Sequence, residues 1–425
     1  MLVVDVGFVR ASTHPTTAPQ AVSMYGLKLP CSTPVFLLKC IEIPVGPEHA
    51  KRGSRSGRLA INCDSHSTHS TQAWGGRRGQ GPGDLVARYQ GILKQRSFTW
   101  IARHQLIQLL GSGTQGVVYL SWRQGADNFC FPVALKVFSP ERYPDREAYE
   151  EATIYMGRVA ARVAQIQQDN LLFVQDWVEQ GGVRVMVMEW VDGYDLRYLL
   201  GQGPFDVLHT EVSAERWDYL NQVVVTSGPE QPRLKAGIAI AIVRNCLAAL
   251  SSLHEAGIVH GDLKPANIML NRTGNAKIVD IGSAFLVNDP PPHRTWTPAY
   301  AAPELHRGET ASPRSDLTSL GYVLVEQLAG QSPFSGLTSQ KELLEAKQAL
   351  PQRLPQLLPA ELSQNEMLMS FCQRLISPEP DGRFGGAEEA GMGDCGAASI
   401  QRQLVKVDLA SEYENEIRLW LQDLA

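Results

Sequence analysis

The sequence predicts an α+β fold in two lobes: a small antiparallel β-rich lobe with one helix, followed by a larger, mostly helical lobe. Two observations predict it. From Thr99 onward, short apolar runs at 104–110, 117–122, 133–138, 171–178 and 183–190 are parted by glycine and turn residues, the pattern of an antiparallel sheet. After residue 191 the apolar residues recur at helical spacing, most clearly over 234–254, 315–329 and 368–376. The single helix of the first lobe is predicted over 146–166, between the third and fourth runs, where breakers are few.

A chain of 425 residues with 44% hydrophobic content can bury one such two-lobed core and still carry extensions. Its net charge of −5 gives no global reason to expect a nucleic acid or an anionic membrane as partner. The seven cysteines are scattered, odd in number and lack any C-x-x-C pair, which argues against a zinc site or a disulfide scaffold and for a reducing, cytoplasmic setting. The run 236–250 is interrupted by Arg244 and Asn245 and reads as too short for a membrane span. Met1 to Val9 carries Asp5 and lacks a basic leader, so no signal peptide is expected. Residues 1–97 have weak periodicity and hold 12 Lys and Arg against 5 Asp and Glu, a local net of +7. They read as a disordered basic extension that cannot bury enough apolar surface to order itself.

Three constellations carry chemistry. The first is Gly111-Ser112-Gly113-Thr114-Gln115-Gly116, set between two strand-like runs. Glycines there let backbone N–H groups close over phosphates, and a β-favouring run after Gly116 indicates a hairpin lid, where a dinucleotide-binding turn would lead into a helix. The second is Val133-Ala134-Leu135-Lys136, a strand ending in a lysine twenty residues after Gly116. Its ammonium would reach the α- and β-phosphates, held by a carboxylate from the intervening helix. Glu147, Glu150 and Glu151 are the candidates, and the apolar spacing Tyr149, Ala152, Tyr155 favours Glu151. The third and most specific is His260-Gly261-Asp262-Leu263-Lys264-Pro265-Ala266-Asn267-Ile268-Met269-Leu270, followed by Ile278-Val279-Asp280-Ile281-Gly282. It combines a carboxylate able to accept a proton, a lysine able to neutralise a phosphoryl group, and two oxygen ligands for Mg²⁺ in Asn267 and Asp280.

With these motifs in place, residues 98 to 384 resemble a eukaryotic-type serine/threonine protein kinase. The resemblance implies that Gly111, Gly113 and Gly116 form the glycine-rich loop, that Lys136 anchors ATP, and that Asp262 is the catalytic base with Lys264 beside it. It further implies Asn267 and Asp280 as Mg²⁺ ligands, Met188 as gatekeeper, the backbones of Glu189 and Val191 facing adenine, and Val118, Ala134 and Met269 around the adenine ring. Thr297-Pro298-Ala299-Tyr300-Ala301-Ala302-Pro303-Glu304 resembles the segment that seats the substrate hydroxyl. Asp316 resembles the aspartate under the catalytic loop, and Arg383 the arginine paired with Glu304. The expected partners are ATP, Mg²⁺ and protein substrates with Ser or Thr acceptors.

The corresponding domain boundaries are 98–385 for the kinase domain (N-lobe 98–190, C-lobe 191–385, an insertion at 201–232 expected as a surface loop) and 386–425 for a partly helical tail expected to pack on the lobe. The sequence departs from the family's pattern in that insertion, in Gly261 where arginine is common and in Ile281 where phenylalanine is usual. The alternative reading is a pseudokinase that binds nucleotide or partners without transfer. A small-molecule kinase is the other, and the substrate-seating stretch argues against it.

Overall fold

The computed structural model describes residues 103–291, 295–404 and 413–424; the expected basic extension at 1–97 lies outside them. Strands β1 (Arg103–Gly113), β2 (Gly116–Gln124), β3 (Cys130–Phe138), β4 (Val174–Gln180) and β5 (Val183–Glu189) form one antiparallel sheet in the order β1-β2-β3-β5-β4. They fall on the five apolar runs. β4 starts three residues late because Leu171 and Leu172 pair with Ile278 of the second lobe, the Leu172 N–H donating to the Ile278 carbonyl at 2.9 Å.

Side-chain alternation along β3 decides which residues see the cleft. Val133 and Leu135 join Val187 in a small cluster of their own, while Ala134 and Phe138 belong to the main core, and Lys136 shares their face. The cross-strand pairs Val118 with Lys136, Ala134 with Met188, and Lys136 with Met186 extend that face over β2 and β5. Helix α1 (Arg146–Val163) is capped by Asp145, whose carboxylate accepts the Ala148 N–H at 2.8 Å, and packs through Tyr149, Thr153, Val159, Ala160 and Val163.

Beyond β6 (Gly193–Asp195), the insertion is not the expected surface loop: it folds as α2 (Gln202–Glu211) and α3 (Ala214–Val223). The reason lies in its apolar positions. Leu208, Leu220 and Val223 are buried, and the Trp217 ring packs on Phe205 and His209 at centroid distances of 5.1 and 4.5 Å. A small ribbon, β7 (Val225–Thr226) and β8 (Arg233–Leu234), leads into α4 (Ala236–Glu255). The helix runs on to Glu255, so the reading of this run as too short is corrected: by length and composition alone α4 could cross a bilayer, with a mean hydropathy of 1.7 over eighteen residues, but 72% of that stretch is buried inside the protein. It is the central core helix of the lobe, with Gly237 to Val243 all buried.

The strands β9 (Ile258–Val259), β10 (Ile268–Asn271), β11 (Ala276–Ile278) and β12 (Phe285–Leu286) follow and frame the site. Helices α5 (Pro313–Ala329), α6 (Gln340–Leu357) and α7 (Glu366–Leu375) complete the lobe. Helix α5 starts where the Ser315 hydroxyl accepts the Ser312 N–H and stops at Gly330, whose φ of 68° only glycine adopts freely. The tail forms α8 (Ala387–Met392), α9 (Ala397–Leu404) and α10 (Tyr413–Asp423). Its amphipathic last helix packs on the insertion. Trp420 lies among Leu199, Phe205, Leu208 and Val225, and Asp423 accepts the Arg216 guanidinium at 2.7 Å.

Candidate active site

The loop between β9 and β10 holds the third motif, and β10 pairs with β11 so that Asn267 and Asp280 leave the sheet side by side at its edge. The Val279 N–H donates to the Asn267 carbonyl at 2.9 Å, which fixes the two segments together. Buried Asp316 of α5 holds the loop from beneath: it accepts the His260 N–H at 2.8 Å, the Gly261 N–H at 2.9 Å and a bond with His254 Nε2 at 2.9 Å. Burial works against its charge, but the His254 bond, nearby His260 and the Gly261 N–H outweigh it, so the carboxyl titrates below the usual aspartate value.

Above that support, Asp262 Oδ1 accepts the Thr297 N–H at 2.8 Å, and Oδ2 accepts Lys264 Nζ at 2.6 Å. Lys264 also donates to Thr297 Oγ1 at 2.9 Å, and Asn267 Nδ2 donates to the Asp262 carbonyl at 2.8 Å. The proposed base, the adjacent lysine, one metal-ligand candidate and the first residue of the substrate-seating stretch therefore form one bonded cluster. The stretch is anchored further on, where Glu304 and Arg383 make a buried, two-pronged ion pair at 2.7 Å on each arm.

Lys136 lies buried on the N-lobe side. Its ammonium pairs with the Asp280 carboxylate and donates to Gln115 Oε1 at 2.7 Å. Burial opposes the Asp280 charge, but Lys136 and the Gly282 N–H more than reverse this, holding its pKa below the usual value. Glu151 is not the partner of Lys136. At 100° per residue it stands about 200° from both Tyr149 and Thr153, hence on the opposite side of α1 from the buried face, and its side chain is exposed. Glu147 is exposed too, and Glu150 pairs with Arg146 at 2.6 Å.

The other sequence-predicted residues fall around the same cleft. Ala134 and Met188 are buried in the main core, with Val118 and Met269 packed half-buried against it. The Glu189 N–H is taken by the Phe173 carbonyl at 3.0 Å and its side chain by Lys277 at 2.7 Å. Gly116, at φ 139°, lies so close to β3 that a Cβ would come 2.0 Å from the Val137 carbonyl oxygen. By contrast, Gly111 and Gly113 border open space.

Sequence reasoning missed two contributors. Gln115, at the tip of the glycine-rich turn, reaches both Lys136 and Ser283, with Nε2 donating to the Ser283 hydroxyl at 3.2 Å. Tyr155 of α1 ties the helix to the segment after Asp280: its hydroxyl donates to the Asp289 carbonyl at 2.6 Å and accepts the Leu286 N–H at 3.0 Å. A signal for Tyr155 existed in its hydroxyl, but the residue was read only as part of an apolar face.

Residues 104–392 match the family model described as protein kinase domain. Among curated relatives, the chain is 33% identical over 246 residues to serine/threonine-protein kinase PknB of Mycolicibacterium smegmatis, covering 55% of this chain and 33% of that protein. It is 30% identical over 243 residues to the probable serine/threonine-protein kinase PknB of Lactococcus lactis, covering 55% of this chain and 32% of that protein. The chain thus spans about a third of the length of the curated relatives it matches. Among solved structures, the kinase domain of Mycobacterium tuberculosis PknI aligns with 72% of this chain and 98% of its own at 22% identity and a TM-score of 0.46. With the family model matched over more than half its length, and with a β-rich lobe set on a helical one, the chain belongs to the protein kinase family.

Proposed function

We propose that the chain is an active serine/threonine protein kinase that transfers the γ-phosphoryl group of Mg-ATP to Ser and Thr hydroxyls of protein substrates. The observation that carries this reading is the cluster in which Lys264 bonds both Asp262 and Thr297 while the Thr297 N–H bonds Asp262. Asp262 accepts the proton of the acceptor hydroxyl as its oxygen bonds to the γ-phosphorus and the bond to the β–γ bridging oxygen breaks, with ADP leaving. Lys264 neutralises charge on the phosphoryl oxygens, and Thr297 seats the hydroxyl. The Asp280 carboxylate and the Asn267 amide oxygen form a hard donor pair that would hold Mg²⁺, and the ion would supply charge neutralisation at the phosphates. Lys136 exchanges Asp280 for phosphate oxygens when the nucleotide binds, which frees that carboxylate. A cytoplasmic setting is part of the same proposal.

Incubation with labelled ATP and a generic basic protein, followed by phospho-amino-acid analysis, tests the reading. Phosphoserine and phosphothreonine are expected, and Asp262→Asn lowers kcat by about two to four orders of magnitude while the KM for ATP stays within about twofold. Absence of transfer by the wild-type protein, with nucleotide still bound, would assign the chain to the pseudokinases. Retention of more than about a third of kcat in Asp262→Asn would remove the base from its role.

A further inference from the structure

Lys347 of α6 is fully buried, and among the described residues no carboxylate lies within ion-pair distance of its ammonium. Its Nζ instead donates at 2.6 Å to the Pro298 carbonyl and at 2.6 Å to the Ala301 carbonyl, and lies 3.0 Å from His306 Nε2. All three partners belong to the substrate-seating stretch or the helical turn Pro303–His306 directly after it. Aromatic faces close the remaining sides, with Tyr322 of α5 at 5.1 Å and Phe334 at 4.9 Å from Nζ. A buried charge without a counter-ion is among the least favourable groups a core can hold, so three partners converging on this one point to a task beyond packing.

We propose that Lys347 is a positioning residue for substrate: from behind, it fixes the stretch whose front edge touches Asp262 and Lys264. The inference rests on the reading of the chain as a protein kinase. The stretch 297–302 is gripped at two ends. Thr297 is tied to the catalytic loop, and the Thr297 carbonyl turns back to accept the Tyr300 and Ala301 N–H groups at 3.0 Å each. Pro298 and Ala301 then present carbonyls inward to a single ammonium, so the outer surface of the turn, where an acceptor peptide would lie, is set by a group it never touches.

The protonation chemistry suits a permanent strut. Burial pulls the Lys347 pKa down to about 7, with Glu304 opposing that shift from its ion pair with Arg383. Burial, and then the charge of Lys347, depress the pKa of His306 as well. Tyr322 is the remaining titratable neighbour, and burial raises its pKa well above the range in which it ionises. A charged Lys347 gives two protons to the carbonyls and the third to the lone pair of His306. A neutral Lys347 keeps both carbonyls and lets the His306 ring N–H donate. The grip on Pro298 and Ala301 therefore survives loss of the third proton.

The test compares wild type with Lys347→Met, which keeps the stem and removes the donors, and with His306→Gln, which keeps the ammonium and exchanges the ring at its third side for a more flexible amide. Steady-state kinetics with a synthetic Ser/Thr acceptor peptide should show the peptide KM rising at least tenfold in Lys347→Met and about threefold in His306→Gln, with the KM for ATP within twofold in both. Hydrogen exchange resolved by peptide should rise at 297–302 and stay unchanged in α1. A folded Lys347→Met whose peptide KM stays within threefold of wild type, or whose KM values for peptide and ATP rise together, overturns the proposal. If Lys347→Met does not fold, His306→Gln decides, and an unchanged peptide KM there overturns it. If wild type phosphorylates no peptide, the kinase reading fails separately, while unchanged exchange at 297–302 in the variants still refutes the strut.

Discussion

Asp316→Asn measures how far the catalytic loop depends on one buried carboxylate. The wild-type side chain accepts from two backbone N–H groups, one on each oxygen, and bonds His254. An asparagine of the same shape offers one oxygen, so either His260 or Gly261 is left with a buried donor facing an amide NH₂. An orphaned buried donor costs about 1–3 kcal/mol, and weakening the remaining charge-assisted bonds adds about 1 kcal/mol, giving about 2–4 kcal/mol in all. That is a large part of the roughly 5–15 kcal/mol by which domains are stable. Urea unfolding followed by tryptophan fluorescence should show this difference at pH 7. The sign with pH follows from the depressed pKa of Asp316. Its stabilisation is complete above the unfolded-state value of about 3.9 and is lost as the pH falls through the lower folded value, so wild type and variant converge in acid. Because the loop backbone carries Asp262, kcat should fall at least tenfold with the KM for ATP little changed. A stability difference under about 1 kcal/mol at pH 7, or one that is the same at pH 7 and pH 3, would refute the assignment of Asp316 as the charged support.

Two further outcomes follow from departures in this chain. Glu151→Ala should leave the KM for ATP within about twofold of wild type, because Lys136 takes its partners from Asp280 and Gln115; a tenfold rise in steady-state KM would show that α1 rotates Glu151 inward when nucleotide binds. Treatment of the purified enzyme with a broad phosphatase should leave activity within about threefold, since the segment after Asp280 is held by the β12–β9 ladder and by Tyr155, and Gly261 brings no charge for a phosphate to compensate. A tenfold loss restored by autophosphorylation would contradict it.

The clustering of Asp262, Lys264 and Asn267 was legible in the sequence because it is local: the three sit within six positions, and a short loop between strands keeps such neighbours together. The sheet was legible for a related reason, since turn residues punctuate strands that are continuous in sequence. Lys136 lies on the core-side face of β3 with Asp280 beside it, and Glu151 does not reach it. A strand fixes the direction of its own side chains, but which face of α1 turns inward depends on the whole run of buried positions, and Tyr149, Ala152 and Tyr155 sampled it misleadingly. The insertion was misread in part because Phe205 and Leu208 are covered by Trp420, about two hundred residues further along the chain. No local pattern announces a surface that is covered by the C-terminal helix.

Among the described residues, the buried lysines Lys136 and Lys347 show how partners distant in sequence set what a side chain can do. Lys136 keeps a carboxylate beside it, in a cleft whose Asp280 side chain is 40% exposed, so under the proposed function a phosphate oxygen takes over from Asp280 and the freed carboxylate still faces solvent or a metal ion. Its site is built for exchange. Lys347 has only backbone carbonyls and a histidine, closed over by two aromatic rings, and no anion can reach it without unfolding the stretch that supplies those carbonyls. Its site is built to stay shut. A lysine at the end of a strand and a lysine in the middle of an amphipathic helix look alike in sequence as solvated surface residues. What separates them here is the chemistry of the oxygens that meet them, a carboxylate that can be released in one case and carbonyls that are part of the fold in the other.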